Sequence, residues 1–209
     1  MYPKYWIYRT EMFAYRNQYV QAKLIKPPPK RLSKVYSSGG FHDPMQNEPY
    51  GVSIKLTFRI NQKHPHPDNY IDDAGFQIYS ERLVRIIRTF KVNAEYFPIG
   101  FVDESNKKVS NLRYFVFHIL EGVLPAMDEK RSGWTGNREI GIKNLVLDYS
   151  VFEQRPMFIC NNIYVPLMRN DLKTAIEEIG ITGFIFSDPE KYHTGYRKPL
   201  LKFNTASQT

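Results

Sequence analysis

The amino-acid sequence predicts an α+β fold: a mixed, largely antiparallel sheet packed by two main helices in a single globular domain, with an N-terminal basic arm or strand. The chain of 209 residues is 42% apolar and 15% aromatic, which suits one strand-rich core. Its predicted elements run strands, helix, strands, helix, strand, without the regular strand–helix alternation of a doubly wound sheet. No stretch approaches the roughly 20 apolar residues that a membrane helix needs.

The first predicted segment is a basic aromatic arm or strand over residues 1–40, which ends in a proline-rich connector. This segment holds eight Lys or Arg and one acidic residue, whereas residues 41–209 hold 21 basic and 20 acidic residues. The net charge of +8 is therefore a property of the arm. Within it, Tyr5 to Tyr8 can form a strand that joins the main sheet, and Pro27 to Pro29 are stiff and extended.

Residues 41–209 are predicted to form the α+β domain, which begins with a strand over 52–60, where polar and apolar residues alternate. Ser80 can cap a helix over 80–93. The apolar face of that helix consists of Leu83, Ile86, Ile87 and Phe90. Its arginines, Arg82, Arg85 and Arg88, lie elsewhere on the surface and are interpreted as a solvated face.

The second half of the domain is predicted to contain a buried strand, a long loop and a helix flanked by short strands. Residues 112–120 are almost continuously apolar, which indicates a strand buried on both faces. Residues 121–141 hold four of the twelve glycines and are predicted to be irregular. Further strands are predicted at 143–148, 156–160, 163–165 and 183–186. A second amphipathic helix carries Leu172, Ala175, Ile176 and Ile179 and ends at Gly180.

None of the common catalytic or nucleotide-binding motifs occurs in the sequence. His64 and His66, with Asp68 nearby, form the best metal candidate, but each histidine precedes a proline, as in an ordinary exposed loop. His118 lies in the apolar strand and is interpreted as a hydrogen-bonded core histidine. Cys160, the single cysteine, is interpreted as a buried thiol. We therefore predict no catalytic residues, no metal and no cofactor.

The loop over 121–141 supplies the candidate partner-binding residues, which are Asp128, Arg131, Ser132 and Trp134. Trp and Arg dominate the centres of protein interfaces. A Trp in a glycine-flanked loop can instead pin that loop to the core, and both interpretations remain open at this point.

Short apolar and turn motifs occur in a fixed order across residues 75–190. They are Gly75-Phe76, Ser80 to Leu83, Glu95 to Pro98, Ala126-Met127-Asp128 with Ser132, Leu145 to Asp148, Met157-Phe158 and Gly180 to Phe184. This pattern resembles the bacterial immunity-protein family called immunity family eleven, typified by a myxobacterial member. Positions that match the family include Phe76, Ser80, Asp128, Ser132 and Gly183.

The resemblance implies a cytoplasmic antidote that binds a cognate toxin domain, the C-terminal domain of a secreted effector, and blocks it by direct contact. It implies no catalytic residues. A cytoplasmic location also agrees with the single cysteine and with the lack of an apolar signal peptide. No membrane partner is expected, and nucleic acid is not the expected partner.

Two alternatives remain open from the sequence. The basic arm interleaves Lys and Arg with Tyr and Trp, which could contact phosphates and stack on bases in a nucleic-acid-associated protein. An enzyme of unrecognised type, which could hold a metal through His64 and His66, is the other.

Overall fold

The computed structural model describes residues 2–10, 13–15, 18–19, 22–25, 49, 56–61, 66–71, 76–120, 122–134, 142–152, 154–160, 162–163 and 165–192. The helices are α1 (Glu81–Thr89), α2 (Glu129–Ser132), α3 (Tyr149–Phe152) and α4 (Asn170–Glu178), and a 3₁₀ turn follows at Pro189–Lys191.

The strands, in chain order, are β1 (Tyr5–Thr10), β2 (Phe13–Tyr15), β3 (Gln18–Tyr19), β4 (Lys23–Leu24), β5 (Leu56–Arg59), β6 (Asn69–Ile71), β7 (Gln77–Ser80), β8 (Ala94–Val102), β9 (Lys108–Val109), β10 (Tyr114–Ile119), β11 (Val123–Leu124), β12 (Met157–Cys160), β13 (Val165–Arg169) and β14 (Phe184–Ser187).

The described strands form two large mixed sheets. One sheet has the order β11-β12-β13-β1-β14, and the other has the order β4-β5-β8-β10-β7-β6, with β9 paired to β8. Strand pairs are antiparallel except β11 with β12 and β5 with β8. A short β2–β3 pair stands apart from both sheets. The fold is therefore the predicted α+β class with mixed, largely antiparallel sheets.

Strand β1 lies inside the first sheet, between two strands from the other end of the described chain. Ile7 is opposite Leu167 of β13 on one side and opposite Ser187 of β14 on the other. Tyr5 and Ile7 are fully or almost fully buried. The predicted strand over residues 5–8 is confirmed, and it extends to Thr10.

Helix α1 begins where its sequence predicts. The Ser80 hydroxyl accepts a hydrogen bond of 3.1 Å from the backbone N–H of Leu83, which satisfies one of the free donors of the first turn. The helix ends at Thr89, four residues before the predicted end. Lys91 takes a positive φ of 55°, a left-handed conformation that a helix cannot continue through.

The central core lies where α1 and α4 meet the inner faces of both sheets. It contains Leu83 and Ile87 of α1, Ile176 of α4 and Phe117 of β10, among others. Burial of these apolar side chains is the main source of stability for two helices of only nine residues each. Each sheet also covers a separate cluster on its outer face.

Two predictions for the second half of the chain need correction. Residues 143–148 do not form a strand; the segment makes only an isolated bridge between Met127 and Leu147. Its alternating apolar residues, Leu145 and Leu147, are buried against the outer face of the first sheet, so burial of an irregular segment produces the strand-like pattern. The described part of the predicted 121–141 loop contains strand β11 and the single-turn helix α2.

Some predictions fall on residues outside the described ranges. These include the proline-rich connector, residues 52–55 of the first predicted strand, and residues 193–209. Among the described residues, no helix is long and apolar enough to cross a membrane.

Candidate functional site

The four sequence-predicted binding residues lie on or beside helix α2. Asp128 caps this helix: its Oδ1 accepts a hydrogen bond of 2.9 Å from the backbone N–H of Arg131. Gly133 ends the helix with a φ of 66°, a left-handed conformation that glycine adopts without steric cost. The backbone N–H of Asp128 donates to the carbonyl of Val146, which ties the helix to the irregular segment beside it.

Ser132 is fully buried and holds α2 in place. Its hydroxyl accepts a hydrogen bond of 2.9 Å from the backbone N–H of Val146 and donates to the carbonyl of the same residue over 3.3 Å. The carbonyl of Ser132 accepts from the backbone N–H of Lys143. This side chain therefore positions the site and does not face a partner.

Trp134 follows the helix and packs, partly buried, against the outer cluster of the first sheet. The contact favours the interpretation in which this Trp pins the loop to the core. Its partly exposed edge leaves it at the rim of any interface formed by α2.

Arg131 is the exposed member of the set, with 70% of its side chain accessible. Its Nη1 lies 3.8 Å from Oδ2 of Asp128, at the long end of an ion pair. The side chain lines an open cleft. Other residues that line this cleft are Tyr2, Lys4, Asn144, Tyr149, Asp188 and Glu190.

The cleft carries charges of both signs. Nζ of Lys4 lies 3.4 Å from Oδ2 of Asp188, and Asp188 also caps the 3₁₀ turn by accepting from the backbone N–H of Glu190. Glu190 is exposed on the same wall as this pair. Arg131 and Lys4 thus share the cleft with Asp188 and Glu190, an arrangement that can bind a surface with charges of both signs.

An aromatic pair forms another wall of the cleft. The ring of Tyr2 stacks on the ring of Tyr149, with centroids 4.6 Å apart and planes inclined by 22°. Tyr2 is 72% exposed, whereas Tyr149 is partly buried against the outer cluster. Burial, and secondarily the charge of Glu190, raises the pKa of the Tyr149 hydroxyl, so it stays a neutral hydrogen-bonding group. Exposed tyrosines of this kind are enriched at protein interfaces.

The side chains that could act as a nucleophile or a base, Cys160 and His118, are buried in the core. Burial raises the pKa of the Cys160 thiol to about 12, and the side chain is fully buried, so the thiolate that would attack a substrate does not form at neutral pH. His118 is buried in β10 with its Nδ1 3.0 Å from Oε2 of Glu95. Both sequence-based interpretations of these side chains are confirmed.

The metal hypothesis rested on His64, His66 and Asp68. His64 lies outside the described residues. The ring of His66 is hydrogen-bonded to the hydroxyl of Tyr70, and the carboxylate of Asp68 accepts hydrogen bonds from Ser80, Arg82 and Thr182. Among the residues that the structure describes, no three His, Cys, Asp or Glu side chains are grouped to hold a metal ion.

A buried polar junction joins the two sheets and includes two of the motif residues. Asn69, which is 1% exposed at the start of β6, donates from Nδ2 to the carbonyl of Gly183, just before β14. Gly183 has a φ of 90°, and a Cβ there would lie 2.6 Å from the carbonyl oxygen of Asn69. Ser80 joins the junction through Asp68. These motif residues therefore have structural roles.

Sequence reasoning missed most of the cleft. Tyr2, Lys4, Tyr149 and Glu190 come from three separated segments, which the position of β1 inside the first sheet brings together. One local signal was available, since Asp188-Pro189-Glu190 after an apolar strand is a typical capped turn with exposed acids.

Comparison with known proteins gives one positive finding. Residues 12–191 match the sequence model of the immunity protein family Imm11. This match extends well beyond the motifs at 75–190 and covers much of the N-terminal segment, which the motifs did not reach. No curated protein matches the chain.

Proposed function

Because the chain belongs to the immunity protein family Imm11, we propose that it neutralises a cognate bacterial toxin domain by direct protein–protein contact. The match over residues 12–191 is the observation that carries this proposal. The toxin domain would be the C-terminal domain of a secreted effector of a polymorphic, contact-dependent system. Protection of the producing cell then takes place in the cytoplasm.

Inhibition by binding, without catalysis, is the second part of the proposal. The buried Cys160 thiol and the buried His118, which pairs with Glu95, support it, because the best candidate reactive side chains lie inside the core. Such an antidote works by mass action and needs one molecule for each toxin molecule that it occupies.

The cleft beside α2 is one part of the surface that we assign to the toxin. Its exposed guanidinium, Arg131, and its stacked tyrosine pair, Tyr2 and Tyr149, are of the residue types that dominate binding energy in interfaces. A stable complex buries about 800 Å² on each partner, which is more than one cleft provides. The contact must therefore continue onto the surface around it.

The test is recovery of a complex from cells that carry the native locus. The tagged protein is expressed with an inactivated copy of the toxin domain encoded at that locus, and bound material is identified after washing at low and high salt. A stoichiometric complex that survives high salt supports the proposal, and protection of cells from the active toxin domain supports neutralisation. Recovery of nucleic acid alone, lost at moderate salt, would overturn it in favour of a nucleic-acid-associated protein.

A further inference from the structure

The solvent-facing side of α1 carries a cluster of cations that the cleft does not use. Arg85, Arg88 and Lys91 are exposed along the helix and its C-terminal end, and Arg113 lies beside the helix start, where its carbonyl accepts from the backbone N–H of Glu81. We call Arg85, Arg88 and Arg113 the α1 arginine face.

Two of these arginines share one carboxylate. Nη2 of Arg85 lies 3.2 Å from Oε1 of Glu81, and Nη1 of Arg113 lies 3.6 Å from the same oxygen. The two arginine side chains are 74% and 75% exposed. One carboxylate balances only one of the two positive charges, so it holds both guanidinium groups side by side with a net positive charge facing solvent.

The other charges near the face do not cancel this excess. Arg82 forms an ion pair with the buried carboxylate of Asp68. Arg88 lies over the ring of Tyr96, with its guanidinium carbon 4.6 Å from the ring centroid. Among the described residues, the ion pairs that reach α1 come from Glu81 and Asp68 alone.

We propose that the α1 arginine face binds an acidic surface of the toxin; this inference rests on the function proposed above and names the chemistry of the partner. Guanidinium groups recognise carboxylates through paired hydrogen bonds, and Arg is enriched at interfaces.

An acidic protein fits this face better than a nucleic acid does. The carboxylate of Glu81 lies against both guanidinium groups. A protein can place its carboxylates on either side of Glu81, whereas the evenly spaced phosphates of a nucleic acid cannot avoid it. The guanidinium group of Arg88 lies over one face of the Tyr96 ring, so that face is not open for a base to stack on.

The experiment compares two variants with equal loss of charge. Arg85→Gln/Arg113→Gln removes two positive charges from the face, and Lys107→Gln/Lys108→Gln removes two from the exposed β8–β9 hairpin. Association of each full-length variant with the inactivated toxin domain is followed by stopped-flow fluorescence between low and high salt. We expect the arginine variant to associate about tenfold more slowly at low salt, with a weaker salt dependence, and the lysine variant to behave as the wild type.

A third variant, Arg85→Lys/Arg113→Lys, keeps the charge and loses the paired geometry. We expect its association rate to stay near wild type while its dissociation rate rises. Equal association rates for the two glutamine variants would overturn the inference while leaving the toxin complex, and hence the proposed function, intact. Failure of the wild type to form any complex would overturn both.

A separate RNA-binding measurement tests the nucleic-acid alternative. A single-stranded RNA of about twenty nucleotides is titrated into the wild type and into the arginine variant under the same salt conditions. RNA binding that is lost only in the arginine variant would overturn the inference in favour of nucleic acid. Equal, weak binding of RNA to both proteins supports a protein partner.

Discussion

Arg82 and Asp68 form a bidentate ion pair: Nη2 donates to Oδ2 over 2.6 Å, and Nε donates to Oδ1 over 3.3 Å. Asp68 is almost fully buried, whereas half of the Arg82 side chain is exposed. The pair joins the start of α1 to the loop before β14, because Asp68 also accepts from the backbone N–H of Thr182 over 3.0 Å.

Replacement of Asp68 by Asn should lower the free energy of unfolding by about 2 kcal/mol, the usual contribution of hydrogen bonds to a charged group. Solvent around the half-exposed Arg82 screens part of the attraction, so a larger loss is not expected. Urea unfolding at pH 7 measures the change. Asp103→Asn at the exposed β8–β9 turn is a control for a carboxylate that bonds only the backbone of its own turn; an equal loss there would contradict the assigned role of Asp68.

The same carboxylate should make stability depend on acid. Burial raises the pKa of Asp68, but the hydrogen bonds from Arg82, Ser80 and Thr182 outweigh burial and hold the pKa below its ordinary value. A lowered folded-state pKa adds stability above the unfolded-state pKa of about 4 and loses it as pH falls through the folded-state pKa. The wild type should therefore lose its advantage over Asp68→Asn below about pH 4. Parallel stability–pH curves for the two proteins between pH 7 and pH 2 would disprove this.

Gly183→Ala should be far more destabilising than Gly180→Ala. Both glycines have a positive φ, of 90° and 69°, but only at Gly183 would the new Cβ meet backbone, 2.6 Å from the carbonyl oxygen of Asn69. We expect a loss of about 1 kcal/mol at Gly180 from the left-handed conformation alone, and about 3 kcal/mol or more at Gly183. Thermal unfolding of both variants makes the comparison. Similar losses would show that the junction between the sheets adapts to the extra methyl group.

Binding and stability should separate at α2. Arg131→Glu changes an exposed side chain in the cleft, so we expect toxin affinity to fall by more than about 1 kcal/mol with unchanged thermal stability. Ser132→Ala leaves the part-buried backbone N–H of Val146 without its partner, while the carbonyl of Val146 keeps its bond from Asp128, and the change should cost about 1–3 kcal/mol of stability. Calorimetric binding and thermal unfolding are measured on both variants. Unchanged affinity in Arg131→Glu would move the interface away from the cleft.

The thiol of Cys160 should resist alkylation in the folded protein. Burial raises its pKa to about 12 and also blocks access of the reagent. Iodoacetamide at pH 8 should modify the protein only after denaturant is added, as followed by intact mass. Rapid modification without denaturant would show that β12 opens far more readily than a core strand does.

The two nine-residue helices, α1 and α4, were predictable because their signals are local. Ser80 and the apolar side chains that follow it lie within three turns, so the cap and the buried face are both visible in a short stretch of sequence. Only the end of α1 was misplaced. The helix cannot continue past Lys91, which takes a positive φ, and the sequence does not indicate this because lysine rarely adopts that conformation.

Elements that depend on distant contacts were harder to predict. Leu145 and Leu147 have the spacing of a strand, but the backbone between them bonds to Ser132, Asp128 and the 3₁₀ turn in place of a neighbouring strand. An alternation of apolar and polar residues indicates that one side of a segment is buried. It does not indicate whether the backbone of that segment bonds to a neighbouring strand.

The candidate site was predictable only in part. The sequence alone indicates Arg131, because it is a charged residue in a glycine-rich loop. The stacking of Tyr2 on Tyr149 and the pairing of Lys4 with Asp188 depend on where β1 enters the first sheet. No local pattern encodes that position.

The place of β1 between β13 and β14 sets when a newly made chain can fold. Its residues Ile7 and Tyr8 are synthesised well before their partners on β14, Ser187 and Phe186. At a synthesis rate of roughly 5–20 residues per second, the first sheet stays incomplete for about ten seconds or more. Until then β1 lacks one of its two neighbouring strands, and the cleft has not formed. For the proposed antidote, a molecule therefore becomes able to bind its toxin only after β14 has been made, which favours a standing pool over synthesis on demand.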